Sequence, residues 1–115
     1  MKRIKNKINP AVIGLGYVGL PIFLRLNRKF KTIGFDINKS RVNQLLNKKD
    51  FNKEFNSKDL KLKNGSFFSS RFNDLKKFNF FIVTVPTPIL DNNYPDLRNL
   101  KSVSNILKKI IKKND

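Results

Sequence analysis

The residues of this chain whose types and spacing point to chemistry are three glycines and one aspartate. Gly14, Gly16 and Gly19 form a G-x-G-x-x-G run, and Asp36 follows seventeen residues after the last of them. Such a run alone occurs in many turns, but here it has a specific setting. Ala11-Val12-Ile13 before it reads as a buried strand, and Lys31-Thr32-Ile33-Gly34-Phe35 before Asp36 reads as a second. In that setting Gly14 turns the chain sharply out of the strand. Gly16 lets backbone N–H groups approach a pyrophosphate that any Cβ would block, and Gly19 lets the next helix pack closely on the strand. The N–H groups of Tyr17, Val18 and Gly19 fall at the positive end of that helix's dipole, where an anion is favoured. A carboxylate at Asp36 accepts hydrogen bonds from ribose hydroxyls and repels a 2′-phosphate, so the expected cofactor is NAD and not NADP.

These residues need a strand–helix–strand frame, and the chain supplies one. Asn9-Pro10 marks the entry to strand one, and helix A is expected from about Val18 to Arg28 with Pro21 in its first turn, where the missing N–H costs nothing. Asn38 suits the N-cap of a second helix through Leu46. The stretch from Asn47 to Asn64 is polar and lysine-rich, with one short helical turn expected at Ser57–Leu60. Residues 65–69 read as a third strand, 70–77 as a small helix, and Phe80-Phe81-Ile82-Val83-Thr84-Val85 as the clearest strand of all. Pro86-Thr87-Pro88 stops it and opens a loop through Pro95. From Asp96 to Lys113 the pattern is amphipathic: Leu97, Leu100, Val103, Ile106, Leu107, Ile110 and Ile111 share one half of a helix and lysines the other. Alternating strands and helices imply a parallel sheet, and on the usual order of that architecture strand one lies between strands two and four, so that Gly14 and the Val85-Pro86-Thr87 end face one crevice.

Composition narrows the chemistry further. With 115 residues and 39% hydrophobic content the chain is expected to form one domain. It has no cysteine and no histidine, which excludes disulfides and cysteine–zinc sites and removes the commonest general base; no catalytic residue and no metal site are expected. The net charge of +17 raises nucleic acid as a partner. However, lysines outnumber arginines 19 to 6, and the abundance of Lys, Asn, Phe and Ile matches A/T-rich codon usage. The basic residues are dispersed and accompany no nucleic-acid motif, so no specific nucleic-acid binding is expected. A small basic nucleic-acid-binding protein and a nonfunctional gene fragment stand as the alternatives. Met1 to Lys7 is basic and residues 11–24 are mostly apolar, as in a signal peptide, but glycines interrupt the run, Arg25 ends it and no A-x-A-like site follows. With no later segment long enough to span a membrane, a cytoplasmic location without membrane attachment is expected.

Val12 to Pro21, Gly34-Phe35-Asp36-Ile37-Asn38 through Arg41, and Val83-Thr84-Val85-Pro86-Thr87-Pro88 together resemble the UDP-glucose/GDP-mannose dehydrogenase family, from about residue 8 onward. The V-x-V-P-T-P element and Pro95-Asp96-Leu97 look most like the branch acting on UDP-N-acetylhexosamines for surface polysaccharides. The resemblance implies an amino-terminal NAD-binding domain, with a carboxy-terminal domain contributing much of the nucleotide-sugar site. It also implies two successive hydride transfers that take the sugar's C6 alcohol to a carboxylate through a cysteine-bound intermediate. Tyr17 and Val18 would then donate to the pyrophosphate, Asp36 would hold the adenosine ribose, and Arg41 would be the basic residue beside the adenosine end. A solvated helix-face charge is the other reading of Arg41. Thr87 would contact the cofactor, or else serve a turn or cap. The family's cysteine is missing, and its glutamate, lysine and asparagine belong after the strand that would follow Asp115. The expectation is a partial Rossmann-type α/β fold of about four strands, residues 1–115 forming a truncated NAD-binding domain without the central and C-terminal UDP-sugar domains. The UDP-sugar would bind only with a complementing polypeptide, and the uncovered edge of strand four is expected to favour self-association.

Overall fold

The computed structural model describes residues 7–113 and 115, so the basic leader Met1–Asn6 lies outside the described residues. Strands β1 (Pro10–Ile13), β2 (Ile33–Phe35), β3 (Phe67–Ser69) and β4 (Phe80–Val83) form one sheet in the order β3-β2-β1-β4, every pair parallel. Helices α1 (Gly19–Leu26), α2 (Lys39–Leu46) and α3 (Arg98–Ile110), with a 3-10 helix at Phe72–Lys77, cover the two faces. Ile13 pairs with both Phe35 and Val83, which brings the carboxyl ends of β1, β2 and β4 level. The expected order, with β1 in the middle, is the one observed.

β1 is buried along its whole length because it is flanked on both edges and covered on both faces. Its alternate side chains divide the core. Ala11 and Ile13 join Ile33, Phe35, Leu75 and Phe78 under Val103, Leu107 and Ile110 of α3. Val12 joins Leu20, Phe23 and Leu24 of α1 and Val42 and Leu45 of α2 on the opposite face. The α1 layer lies tight on the sheet: a Cβ at Gly34 would come within 3.0 Å of the Phe68 ring and 3.2 Å of Phe23. Phe23 and Phe68 pack edge to face with ring centres 4.8 Å apart. Pro10 has no N–H for the ladder, and the strand entry is secured by Asn79 instead. Its side chain accepts the Asn9 N–H at 2.8 Å and its own N–H donates to the Asn9 carbonyl at 3.0 Å.

Several elements are shorter than their sequence pattern. α1 ends at Leu26, where Asn27 turns inward, donating to the Leu24 carbonyl and accepting the Lys63 N–H. β4 stops at Val83 because β1 offers no residue beyond Ile13 to pair with; the Thr84 N–H makes one further bond to the Ile13 carbonyl before the chain leaves the sheet. Residues 72–77 form a 3-10 helix, closed by the Phe78 N–H on the Leu75 carbonyl three residues back. The Ser57–Leu60 turn is present, with Asn56 and Asp59 exchanging side-chain to backbone hydrogen bonds. α3 spans Arg98–Ile110 instead of 96–113, and Leu97, Leu100 and Ile111 are exposed. The sheet ends at β4, so only the centre of the apolar stripe finds a surface to cover. Phe80 and Val83 on that edge are 52% and 37% exposed. Among the described residues no helix is long and apolar enough to cross a membrane.

Phe23 is fully buried between α1 and the sheet. Phe23→Ala is expected to destabilise the fold by about 3–5 kcal/mol, a large share of the stability of a domain this size, as read from urea unfolding.

Candidate functional site

The site begins where β1 runs out. Gly14 has φ of 101°, and a Cβ there would lie 2.8 Å from the Thr84 carbonyl oxygen, so conformation and space both demand glycine. Gly19 has no room for a Cβ either, because it rests against the Gly14 carbonyl and the Thr84 hydroxyl. That hydroxyl donates to the Gly14 carbonyl at 2.8 Å and approaches the Ile13 carbonyl at 3.2 Å. The Thr84 N–H also donates to Ile13 at 2.8 Å. Gly16 differs: nothing lies within 4 Å of a Cβ built there. The described residues therefore give no packing reason for glycine at position 16, and the space a Cβ would fill is open to a ligand.

The loop leaves its donors uncommitted. Among the described residues, no hydrogen bond engages the backbone N–H of Gly16, Tyr17, Val18 or Gly19; the first committed donor is Leu20, to the Gly16 carbonyl at 3.1 Å. Val18 at the N-cap supplies no side-chain cap, and the first turn holds no acidic residue. Four donors at the positive end of α1 suit an anion that the chain itself does not provide.

Asp36, just past β2, reaches the same loop. One carboxylate oxygen accepts the Leu15 N–H and the other the Asn38 N–H, both at 2.9 Å. Two backbone bonds leave about half of the carboxylate's accepting capacity for a ligand's hydroxyls. Asn38 is the N-cap of α2 as its position suggests, its side chain accepting the Arg41 N–H at 3.2 Å.

Arg41 departs from the solvated-charge reading. It is buried, with Nε donating to the Leu15 carbonyl at 2.7 Å and Nη1 to Gln44 at 2.6 Å and Asp50 at 2.8 Å. Burial pushes the Asp50 carboxyl up, but the hydrogen bond from Arg41 and the backbone N–H groups of Asn52, Glu54 and Phe55 outweigh it and hold its pKa below the ordinary value.

These parts line a cleft of about 500 Å³ between the carboxyl ends of β1, β2 and β4 and the side of α3, within the range usual for a ligand site. Gly14, Gly16, Asp36 and Arg41 line it, with Val85 and Pro86 opposite, so the two sequence segments expected to share a crevice do. Gly19 lies beneath the loop, Tyr17 and Val18 are exposed at its crest, and Thr87 is exposed outside the lining residues. Sequence reasoning missed Thr84, the hydroxyl in an otherwise apolar strand run, whose interruption of that run was the available signal. It also missed Gln44 and Phe51, on or beyond α2, and Asn99, Ser102 and Ile106 of α3, which line the cleft, as well as Asp50, which does not line it but binds Arg41. Asp96 steadies the start of α3; hydrogen bonds from the Arg98 guanidinium and backbone N–H draw its carboxyl down to about 2.

Residues 8–115 match the model of the UDP-glucose/GDP-mannose dehydrogenase family, NAD binding domain. The chain belongs to this family. It is 47% identical over 103 residues to Protein CapL of Staphylococcus aureus, covering 90% of this chain and 24% of that protein. It is 43% identical over 105 residues to the UDP-N-acetyl-D-glucosamine 6-dehydrogenase of Pseudomonas aeruginosa, covering 91% and 25%. The fold matches the UDP-D-ManNAc dehydrogenase structure from Pyrococcus horikoshii with a TM-score of 0.83 at 27% identity, over 93% of this chain and 27% of that one. The chain thus spans about a quarter of the length of the relatives it matches. It is a Rossmann-like, NAD-binding domain of the family. The open space at Gly16 and the four uncommitted N–H groups fit the pyrophosphate of that cofactor.

The two glycines give opposite expectations. Gly16→Ala leaves stability within about 0.5 kcal/mol of the parent, whereas Gly19→Ala costs about 1–3 kcal/mol by forcing α1 off the strand, both measured by chemical denaturation.

Proposed function

We propose that this chain is the cofactor-holding domain of a nucleotide-sugar dehydrogenase that oxidises the C6 alcohol of a UDP-N-acetylhexosamine to the carboxylate, in the cytoplasm, for surface polysaccharide synthesis. The observation that carries this reading is the row of uncommitted N–H groups from Gly16 to Gly19 beside the Asp36 carboxylate. In this reading Gly16, Tyr17, Val18 and Gly19 bind the pyrophosphate through their backbones. Asp36 receives the adenosine ribose hydroxyls and repels a 2′-phosphate. Arg41 borders the adenosine end. When bound, NAD supplies the hydride acceptor, and the four-electron oxidation of an alcohol to a carboxylate uses two of them. The chain has no cysteine, so the nucleophile and the UDP-sugar pocket come from sequence outside these 115 residues, contributed by a complementing polypeptide or a longer form of the protein. The similarity to named UDP-N-acetylhexosamine dehydrogenases supports the substrate branch.

Calorimetry on the folded chain is expected to show NAD binding at least tenfold tighter than NADP, lost in Gly16→Ala while the fold persists, and no turnover of a UDP-N-acetylhexosamine. Absence of NAD binding by folded protein would refute the reading. The unpaired outer edge of β4, with Phe80 and Val83 exposed, is expected to make the isolated chain self-associate. Light scattering that gave a monomer at all concentrations would contradict this.

A further inference from the structure

Asp50 lies in the lysine-rich stretch after α2, well outside the glycine run, and its side chain is 0% exposed. A carboxylate so placed is costly unless donors surround it, and it has four. The N–H groups of Asn52, Glu54 and Phe55 donate at 3.1, 3.0 and 3.1 Å and fold the 50–55 segment around it. The fourth donor, Nη1 of Arg41 at 2.8 Å, ties that segment to the cleft. A guanidinium is a rigid planar fork, so holding Nη1 fixes where Nε points. Nε points at the Leu15 carbonyl, 2.7 Å away. The other side of Leu15 is also held, its N–H by Asp36 at 2.9 Å. In a trans peptide the next N–H is antiparallel to the carbonyl, so fixing the Leu15 carbonyl on Arg41 turns the Gly16 N–H away from Arg41. That N–H is the first of the four uncommitted donors. Nη1 of Arg41 also donates to Gln44 Oε1 at 2.6 Å, and Nη2 has no partner, so among the described residues Asp50 is the carboxylate on the guanidinium and Gln44 its neutral companion.

We infer that Asp50 is a positioning residue for the cofactor: acting through Arg41, it sets the direction of the Leu15–Gly16 peptide and with it the pyrophosphate-binding donors. The inference rests on the cleft being the NAD site. It assigns the 50–55 segment a part in cofactor affinity without contact between Asp50 and the ligand. Losing the Asp50 charge would leave Arg41 a buried cation without its anion, and the Leu15 carbonyl would lose a fixed donor.

The test is calorimetric titration of the 115-residue chain with NAD, alongside nitrogen-resolved NMR of the Arg41 Nε–H. In the parent this proton is expected to exchange slowly with water. Asp50→Asn is expected to weaken NAD binding by roughly 10- to 100-fold and to abolish that protection. Arg41→Lys keeps a cation beside Asp50 but removes the Nε donor to Leu15, so it is expected to lose affinity by a similar factor while still folding. In the Arg41→Lys background, Asp50→Asn is expected to add no more than about twofold, since coupled residues are not additive. A folded Asp50→Asn or Arg41→Lys chain that binds NAD as tightly as the parent would overturn the inference. So would a rapidly exchanging Arg41 Nε–H in the parent, a measurement that needs no variant. Failure of the parent itself to bind NAD would refute the functional reading instead, so the two failures are distinct.

Discussion

The contact of Gly19 with the Gly14 carbonyl and the Thr84 hydroxyl is the constraint on which the rest of the structure depends. Helix α1 must start against the end of β1, on carbonyls that β4 also engages through Thr84. A side chain at Gly19 would lift the helix off, and its N-terminus would no longer open onto the cleft. Thr84 serves both sides of this junction: its N–H continues the β1–β4 pairing by one bond, and its hydroxyl fills the notch the glycines leave.

Around this junction, the loop is held by groups that point away from the space it encloses. Leu15 has its N–H on Asp36 and its carbonyl on Arg41, and its side chain is buried among Val12, Leu20 and Phe23. Among the described residues, Gly16 through Gly19 have no such ties on their N–H groups. A loop fixed at one residue with the next four donors uncommitted is preorganised for an anion, since little ordering remains to oppose binding. The Arg41–Asp50 pair belongs to the fixed part. Its geometry is secured by three backbone donors to Asp50 and by Gln44, which also accepts the Phe51 N–H.

Legibility in the sequence followed locality. The order of elements, the central place of β1, the Asn38 cap and the fate of Gly14 and Gly19 each depend on neighbours in the chain or on a period, and each was readable. The UDP-glucose/GDP-mannose dehydrogenase resemblance, carried by the Gly14–Gly19, Asp36 and Val83–Pro88 segments, agrees with the family match over residues 8–115. What escaped depends on partners distant in sequence. Arg41 was legible as a residue of the cleft, with a solvated charge as its other reading, but its burial was not, because that depends on Asp50 and on the Leu15 carbonyl 26 residues before it. Asp50 carries no local signal, because an acid among lysines, like Glu54 and Asp59 in the same stretch, has the pattern of a solvated loop. Thr84 reads as a strand residue because its role depends on where β1 stops. Leu97, Leu100 and Ile111 fit an amphipathic period perfectly well, yet a period says which residues share a face and not how wide a surface awaits them.

The charge of the chain can be weighed against the site in the same way. Among the described residues no lysine lines the cleft, and the arginine that does, Arg41, is paired with a buried carboxylate. The +17 excess therefore acts on a dinucleotide only at range, through a field that salt screens over about 8 Å at physiological ionic strength. In the proposed reading, contact is left to backbone N–H groups and the α1 dipole, whose partial charges are fixed in direction. Lysines in the cleft would attract any polyphosphate. In the same proposed reading, oriented amides beside a single carboxylate would instead discriminate by geometry, favouring a pyrophosphate at one place and disfavouring a further phosphate at the Asp36 end. The basic surface and the cofactor cleft are thus physically separate features, and the surface charge can vary widely without altering what the cleft selects.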